Sequence, residues 1–238
     1  MRSAAVVEQR RRRSRGRNAR SPYGMGARSL GQAFDEFRRW ASPWIITAVL
    51  VLALAGRVFL GGFTSTDLWV VVGFVAAQPF VEWVVHVVML HWRPTEVGGV
   101  TLDLHAAKKH RAHHADPRDP SLVFIPMRVL VVTLVAEVAL WWAVMPRIEL
   151  ALTAIATVAA VGLVYEWTHF LVHTDHTPTG RLLAVLRRNH RLHHFRNENY
   201  WFTITNPVAD HLLGTAPAKD EVEVSPTARD LLGAGETV

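Results

Sequence analysis

The sequence contains no cysteine in its 238 residues. This absence excludes disulfide frameworks, thiolate zinc sites, iron–sulfur clusters and cysteine nucleophiles. Any metal that this chain binds must therefore be held by nitrogen or oxygen ligands.

Histidine is absent from the first third of the chain and abundant afterwards. All thirteen histidines lie between His86 and His211. Because a neutral imidazole is the commonest metal ligand among the side chains, the spacing of these histidines is the main sequence evidence on function.

Long apolar runs make up much of the chain. Half of the residues are hydrophobic, and the mean hydropathy is +0.15 despite a formal net charge of +6. Four segments approach the ~20 residues needed to cross a hydrocarbon core, at about 43–63, 68–90, 122–145 and 148–172. We therefore predict an all-α integral membrane protein with four transmembrane helices.

Lysine and arginine lie mostly on one side of these spans. The N-terminal tail, the 92–120 loop and the region that follows the fourth span are all basic, whereas Arg147 is the one cation in the two other loops. By the positive-inside rule, both termini and the long loop are expected in the cytoplasm.

The pattern divides the chain into three regions. Residues 1–42 form a basic tail with an interfacial amphipathic helix from about Ser29 to Trp40, residues 43–215 form the membrane domain, and residues 216–238 form a flexible tail. The arginine run at 10–17 is typical of a solvated cytoplasmic tail, so no nucleic-acid partner is expected.

Ten histidines form four clusters. They are His86 and His91, then His110, His113 and His114, then His169 and His173, then His190, His193 and His194. Residues three or four apart share a helix face, so the HxxHH and HxxxH spacings direct their imidazoles to one point. His86 and His91 are five apart, about 140° around an ideal helix, so this pair requires a helix end or two different metals. The other three, His105, His176 and His211, are interpreted as surface or core residues.

The predicted topology brings all four clusters to one side of the membrane. Counting ~1.5 Å per residue from the outer face, His86 and His169 both lie at a depth of ~30 Å, the cytoplasmic boundary of the hydrocarbon core. The two HxxHH segments follow directly, which predicts a cytoplasmic histidine-rich helical cap. Ten imidazoles are too many for one metal ion and suit two.

The nature of the ligands limits the metal. Two iron ions supply the electrons that activate dioxygen, and the bilayer supplies a substrate with an unactivated alkyl chain. We therefore favour a non-haem di-iron oxygenase that oxidises a lipid C–H bond, with zinc as the alternative occupant, because ligands alone do not identify a metal.

The chain also contains an internal repeat. A Glu-Trp pair, a histidine and then an HxxHH segment occur in this order twice, first from Glu82 and again from Glu166. Each half would supply one histidine-ended span and one histidine helix. The two glutamates are candidates to orient a ligand imidazole, and a polar contact between helices is the alternative.

Together these residues resemble the fatty acid hydroxylase superfamily of integral membrane proteins, over roughly residues 78–215. The loop from Asp116 to Pro126 and the segment from Asp210 to Thr215 belong to the resemblance, although Leu213 replaces the aromatic residue that usually precedes the last glycine. Asp210 is a further candidate to support a ligand. The resemblance implies these metal ligands: His86, His91, His110, His113, His114, His169, His173, His190, His193 and His194.

The resemblance also implies dioxygen as oxidant and a separate electron donor, which is a ferredoxin, a cytochrome or a reductase. We expect no fused cytochrome b5 domain, because neither tail has the length or a His-Pro-Gly-Gly motif. The expected reaction is hydroxylation or desaturation of a fatty acyl or sterol-like lipid. A carotenoid hydroxylase, a zinc-dependent membrane hydrolase and a metal-binding or transport protein remain as alternatives.

Overall fold

The structure, a computed structural model, describes residues 24–233. Its helices are α1 (Leu30–Phe37), α2 (Ala41–Leu60), α3 (Ser65–Val84), α4 (His105–Ala115), α5 (Pro120–Val123), α6 (Met127–Val144), α7 (Ile148–His173), α8 (Arg181–Phe195) and α9 (Val208–Leu212). A π-helical turn over Val85–Leu90 continues α3, and 3₁₀ turns lie at Gly24–Gly26 and Lys219–Glu221. The strands β1 (Thr95–Val97) and β2 (Val100–Leu102) pair as an antiparallel hairpin that the sequence pattern did not predict.

Four segments are long and apolar enough to cross a membrane: Ala41–Leu60, Ser65–Leu90, Pro120–Val144 and Ile148–His173. Their outer faces leave large apolar side chains exposed, such as Leu52 at 72% and Phe59 at 89%. Continuous apolar surface of this kind requires lipid around it. The prediction of an all-helical membrane fold with four spans is confirmed.

The long helix α7 is the centre of the bundle and packs against α2, α3 and α6. Its contact with α2 uses small residues, since Ala53 and Ala156 are buried there. A Cβ added at Gly56 would lie 3.3 Å from the Leu152 side chain, which would then have to shift by a few tenths of an ångström. Small residues let membrane helices approach closely, and this packing fixes the position of the histidine-bearing end of α7.

A buried ion pair joins α2, α3 and α7 at the ends that lie away from the histidines. Arg57 is 2% exposed, and its Nη2 lies 2.8 Å from Oδ1 of Asp67. The Thr153 hydroxyl donates to the same carboxylate oxygen at 2.7 Å, and Arg57 Nη1 donates to the Gly61 carbonyl at 2.5 Å. Because both charges are paired and hydrogen-bonded, neither is left uncompensated in the bilayer.

A short amphipathic helix precedes the first span, in the region where the sequence predicts one. Ser29 begins α1, and its hydroxyl accepts the backbone N–H of Gln32 at 3.3 Å. Phe37 packs edge-on against Trp167 of α7, with ring centroids 5.0 Å apart. The helix is therefore fixed to the end of α7 that carries the histidines. The arginine run lies outside the described residues.

Candidate metal centre

Four segments bring the histidines together: the π-helical turn after α3, and the helices α4, α7 and α8. Nine imidazoles form two groups whose ligand atoms all lie within 4.8 Å of one another. Cluster A contains His86, His91, His110, His114 and His193, and cluster B contains His113, His173, His190 and His194. The geometry of each group suits one metal ion.

Each of the two histidine helices contributes one histidine to the cluster that the other helix mainly forms. On each helix the first and last histidines of the HxxHH segment are four apart and serve one cluster: His110 and His114 serve A, and His190 and His194 serve B. The middle histidine points to the other cluster, so His113 joins B and His193 joins A. The repeat visible in the sequence therefore forms two interlocked clusters of similar composition.

The π-helical turn explains the unusual spacing of His86 and His91. The backbone N–H of His91 donates to the carbonyl of His86 at 3.1 Å, which is the i to i+5 bond of a π-helix. Residues five apart lie one π-helical turn apart and share a face. The helix also ends here, because His91 is the C-terminal cap of the π-helical turn. Of the two predicted alternatives, the structure therefore has the helix end, and both histidines lie in cluster A.

His169 lies beside cluster B without meeting the 4.8 Å limit of its four members. Its ring centroid is 5.0 Å from those of His113, His173 and His190. Its Nε2 is buried and has no hydrogen-bond partner. Of the histidines that the sequence places outside the site, His105 and His211 are exposed and His176 is buried outside both clusters.

Backbone carbonyls fix the tautomer of three ligands in cluster A. Nδ1 of His86 lies 2.6 Å from the Phe202 carbonyl oxygen. Nδ1 of His114 lies 2.8 Å from the Ala228 carbonyl oxygen, and Nδ1 of His193 lies 2.8 Å from the Tyr200 carbonyl oxygen. Since a carbonyl only accepts, each Nδ1 carries the hydrogen, and each Nε2 of the neutral ring presents a lone pair.

These lone pairs face one another across short distances. Nε2 of His193 lies 3.1 Å from Nε2 of His114, and neither nitrogen has a hydrogen to donate. The contact is repulsive unless a cation lies between the two atoms. A metal with nitrogens at ~2.1 Å holds adjacent ligands of an octahedron roughly 3.0 Å apart, which matches the observed separation.

Unpartnered ring nitrogens point to the same conclusion in cluster B. His113 is buried with both ring nitrogens unpaired, and the Nδ1 atoms of His190 and His194 are also buried without a partner. The Nε2 atoms of His173 and His190 are 2.7 Å apart. Buried polar atoms almost always have a partner, so a bound metal fits both clusters.

The environment keeps the imidazoles neutral, as metal binding requires. Burial lowers the pKa of His193 to about 4. Burial and the neighbouring imidazoles also lower the pKa of His91, to about 2. The same two causes hold the pKa values of the other ligands on α4 and α8 well below the ordinary value, namely His110, His113, His114, His190 and His194.

The carbonyls of Tyr200 and Phe202 belong to a loop over residues 200–205 that two carboxylates hold. Asp210 accepts the backbone N–H groups of Phe202 at 3.0 Å and Thr203 at 2.8 Å. Glu82 accepts the backbone N–H of Ile204 and the hydroxyl of Thr205. Between the two carbonyls, Trp201 has a φ of 56°, a left-handed conformation that is strained for a non-glycine residue.

The three carboxylates predicted to orient an imidazole do so at most indirectly. Glu82 and Asp210 hold the loop whose carbonyls contact the ligands, and Glu166 accepts the backbone N–H of Ile125 at 3.0 Å, where the chain enters α6. Backbone carbonyls accept from three of the imidazoles in place of carboxylates. No sequence pattern marks a backbone carbonyl, so this arrangement was not predicted.

The C-terminal segment also supports a ligand, contrary to the expectation of a flexible tail after residue 215. Residues 222–229, the C-terminal strap, lie against the ends of α4 and α8. The Ala228 carbonyl accepts from His114, and Arg229 donates to the carbonyls of His114 at 2.8 Å and Ala115 at 2.6 Å. Burial of Val222 and Ala228 holds the strap in place, and its low hydrophobicity concealed this in the sequence.

The part of the chain that carries the histidines matches a known protein family. A family model described as fatty acid hydroxylase matches residues 69–215, a region that contains every histidine of both clusters. The chain belongs to the fatty acid hydroxylase family. It is therefore an oxidoreductase, and the family resemblance read from the histidine spacing is confirmed. The C-terminal strap lies beyond the region that the family model matches.

Individual relatives agree with the family. Over 200 residues the chain is 29% identical to a dihydroceramide fatty acyl 2-hydroxylase of Arabidopsis thaliana, covering 81% of each chain. It is 28% identical over 186 residues to a fatty acid 2-hydroxylase of Mus musculus, covering 76% of this chain and 45% of the mouse protein. The solved hydroxylase domain of Scs7p shares the fold, with a TM-score of 0.65 at 20% identity over 78% of this chain and 69% of that one.

A cavity of about 240 Å³ leads from the clusters into the membrane part of this hydroxylase. Its inner end is formed by His110, His113 and His169, with Tyr165 and Lys109 beside them. The walls are almost entirely apolar and come from α2, α6 and α7. At the far end, Thr133 and Glu137 of α6 are the polar lining residues. The cavity has the shape and polarity to receive an alkyl chain.

Proposed function

We propose that the chain binds two iron ions, one in each cluster, and uses dioxygen to hydroxylate a fatty acyl chain. The facing lone pairs of His114 and His193 carry the proposal, since only a cation makes that contact favourable. Cluster A contains five histidines and cluster B contains four, so we assign His169, which lies beside cluster B, as its fifth ligand. All ten predicted histidines then act as ligands, and iron is one of the redox-active metals that imidazole suits.

The overall reaction balances as R–H + O₂ + 2e⁻ + 2H⁺ → R–OH + H₂O. When bound, the two irons supply the site at which dioxygen is reduced and the C–H bond is oxidised. The protein holds the ligand imidazoles neutral and in one tautomer, and it places the alkyl chain against the clusters. The buried position of the histidines keeps bulk water from the reacting atoms.

The polarity of the cavity supports attack near the polar end of the lipid. Lys109 and Tyr165 lie at the histidine end, next to the metal ligands, and can contact a carboxyl or amide group. The apolar walls then receive the remaining chain. A carbon adjacent to the carbonyl would thus lie close to the clusters, in agreement with the 2-hydroxylase names of the relatives. We infer C-2 of a fatty acyl chain as the position oxidised.

The distribution of basic residues supports an orientation with both termini and both clusters in the cytoplasm. A soluble electron donor is available there, and we propose that electrons come from a ferredoxin, a cytochrome or a reductase. A single-cysteine label tests the orientation, because the chain has no native cysteine. Labelling of Thr64→Cys by a membrane-impermeant reagent on intact cells, with Asn199→Cys protected, is the expected result, and the reverse pattern would contradict it.

Metal analysis and product analysis together test the function. The protein, purified anaerobically with iron and zinc both available, is expected to contain about two irons per chain. With a chemical reductant, ¹⁸O₂ and a fatty acyl lipid, mass spectrometry should find a 2-hydroxy product that carries one ¹⁸O atom. Zinc alone with no oxygen uptake would favour a hydrolase. Oxidation of a carotenoid but not of an acyl chain would contradict the proposal that the substrate is a fatty acyl lipid.

A further inference from the structure

The exposed face of α8 is strongly basic. An open groove of about 820 Å³ lies on this face and against the segment after residue 218. We call it the basic groove. Its cations are Arg187, Arg188, Arg191, Arg196 and Lys219.

Among the residues that the structure describes, the lining of the basic groove contains no acidic side chain. The helix α8 contains four arginines and no acidic residue. Across the described residues 24–233, no carboxylate forms a salt bridge with any of the five groove cations. Arg187 and Arg191 are four apart on the helix, where like charges destabilise it, and their repulsion lowers the pKa of Arg187 beyond the effect of burial. An acidic partner would remove this repulsion.

The groove has the composition of a protein interface. Phe195, which is 50% exposed, and Val224, which is 65% exposed, lie among the cations. Exposed apolar side chains surrounded by arginines are typical of the centre and rim of a protein–protein contact. A site for a small anion would not require the apolar part.

The position of the groove relates it to the metal centre. His190, His193 and His194 point from one face of α8 to the clusters at the ends of α3 and α7, and the groove residues Arg188, Arg191 and Phe195 lie on an exposed face of the same helix. The ring centroid of Phe195 is 6.3 Å from that of His194, so a protein seated in the groove lies close to a ligand of cluster B. The groove is thus accessible to a water-soluble partner and close to the metal centre.

We propose that the basic groove is the docking surface for an acidic one-electron carrier protein that reduces the metal centre. This inference rests on the proposed oxygenase function. Each carrier would be oxidised by one electron, two carriers would serve each turnover, and the two protons would come from water. Charge complementarity of this kind speeds association and selects the partner.

The test compares charge-reversal variants in nanodiscs of zwitterionic lipid and, separately, in nanodiscs that also contain anionic lipid. Arg191→Glu and Lys219→Glu change exposed groove cations, and Arg93→Glu changes an exposed cation outside the groove. The probes are an acidic [2Fe–2S] ferredoxin and the soluble domain of an acidic cytochrome b5. Equilibrium binding of each probe is measured against salt concentration, and turnover is measured with each reduced probe and with dithionite and methyl viologen.

At least one probe is expected to bind the wild-type chain with an affinity that falls as salt rises. Each groove variant should weaken binding and raise the KM for that probe by roughly tenfold, with metal content and methyl viologen turnover unchanged. Arg93→Glu should behave as wild type. The second variant guards against misfolding of the first.

Three results would overturn the docking proposal. The first is that the groove variants bind the probe as tightly as Arg93→Glu does. The second is that neither probe binds the wild-type chain. The third is that the variants change binding only when the nanodisc contains anionic lipid. The last would assign the groove to bilayer headgroups. Failure of the oxygenase function would appear as the absence of iron and of turnover with methyl viologen. Failure of docking is measured separately, because binding of the probe does not require turnover.

Discussion

At the scale of single residues, the main finding is that histidines adjacent in sequence belong to different clusters. His113 and His114 are adjacent in sequence, yet their side chains lie in clusters B and A. The exchange follows from helix geometry, because a side chain one position further points about 100° away around the axis. Each helix therefore supports both clusters, and the loss of one histidine is expected to act on one metal.

Substitution of the exchanged histidines tests this partition. His113→Ala and His193→Ala are each expected to lower the metal content from about two ions per chain to about one and to abolish hydroxylation. Elemental analysis after anaerobic reconstitution measures the content. His211→Ala, at an exposed histidine outside both clusters, should retain both ions. Retention of both ions by either exchanged variant would show that its histidine is not a ligand.

Acid is expected to destabilise the metal-free protein. Burial lowers the pKa of His193 to about 4, below the ordinary 6.5. Between these values the unfolded chain binds a proton that the folded chain does not, so stability is complete above pH 6.5 and is lost as the pH falls towards 4. Thermal unfolding in detergent after chelation should give a lower Tm at about pH 5 than at about pH 7.5. An equal Tm at both values would contradict this.

At the scale of elements, three irregular segments aim the ligands. The π-helical turn places His86 and His91 on one face, the loop 200–205 supplies two carbonyls, and the C-terminal strap supplies a third. Each departs from regular α-helix at the point where a ligand is oriented. The regular helices set the approximate positions of the histidines, and these segments orient members of cluster A, namely His86, His91, His114 and His193.

Removal of the strap's anchor is expected to weaken cluster A. Arg229→Ala deletes two charge-assisted hydrogen bonds, to the carbonyls of His114 and Ala115, and frees the strap that holds the His114 ring. Loss of such supporting contacts typically costs roughly 10- to 100-fold in metal affinity, so a loss of that size is expected for one of the two ions.

A competition titration with a chelator measures the affinity of each ion in the Arg229→Ala variant. The matched control is Asp230→Ala, at the exposed neighbouring residue. An unchanged affinity for both ions in Arg229→Ala would show that the strap only covers the site and does not orient His114.

At the scale of the whole molecule, the bundle connects a lipid cavity to the metal centre. The cavity needs walls from α2, α6 and α7, which meet because small residues let α2 approach α7. Along α6 its lining extends from Val129 to Glu137, which is about 12 Å at 1.5 Å per residue. The polar pair Thr133 and Glu137 then limits the apolar part of the cavity.

Glu137→Leu is expected to lengthen the preferred acyl chain. The change makes the far end of the cavity apolar, and burial of each additional methylene is worth ~0.8 kcal/mol, or roughly fourfold in affinity. A series of acyl chains of increasing length, compared by kcat/KM, measures the shift. Val132→Leu, on the exposed side of α6, is the control. An unchanged chain-length profile would place the end of the substrate elsewhere.

The amino-acid sequence alone was sufficient to predict the membrane class, the four spans and the ten candidate ligands. These properties depend on local patterns: an apolar run long enough to cross a bilayer, and histidines spaced by helical turns. Absence of cysteine excluded thiolate ligands in the same direct way. These local features are sufficient to indicate the family, because its ligands are defined by their spacing along the chain.

The folded structure is needed to divide nine of the ten histidines between the two clusters and to show what orients the members of cluster A. The division depends on the rotation of α4 and α8 relative to each other, and the orientation depends on carbonyls of Tyr200, Phe202 and Ala228, which are distant in sequence from His86 and His114. Every residue type carries a backbone carbonyl, so no sequence pattern distinguishes these three. Their role arises solely from where the folded chain places them.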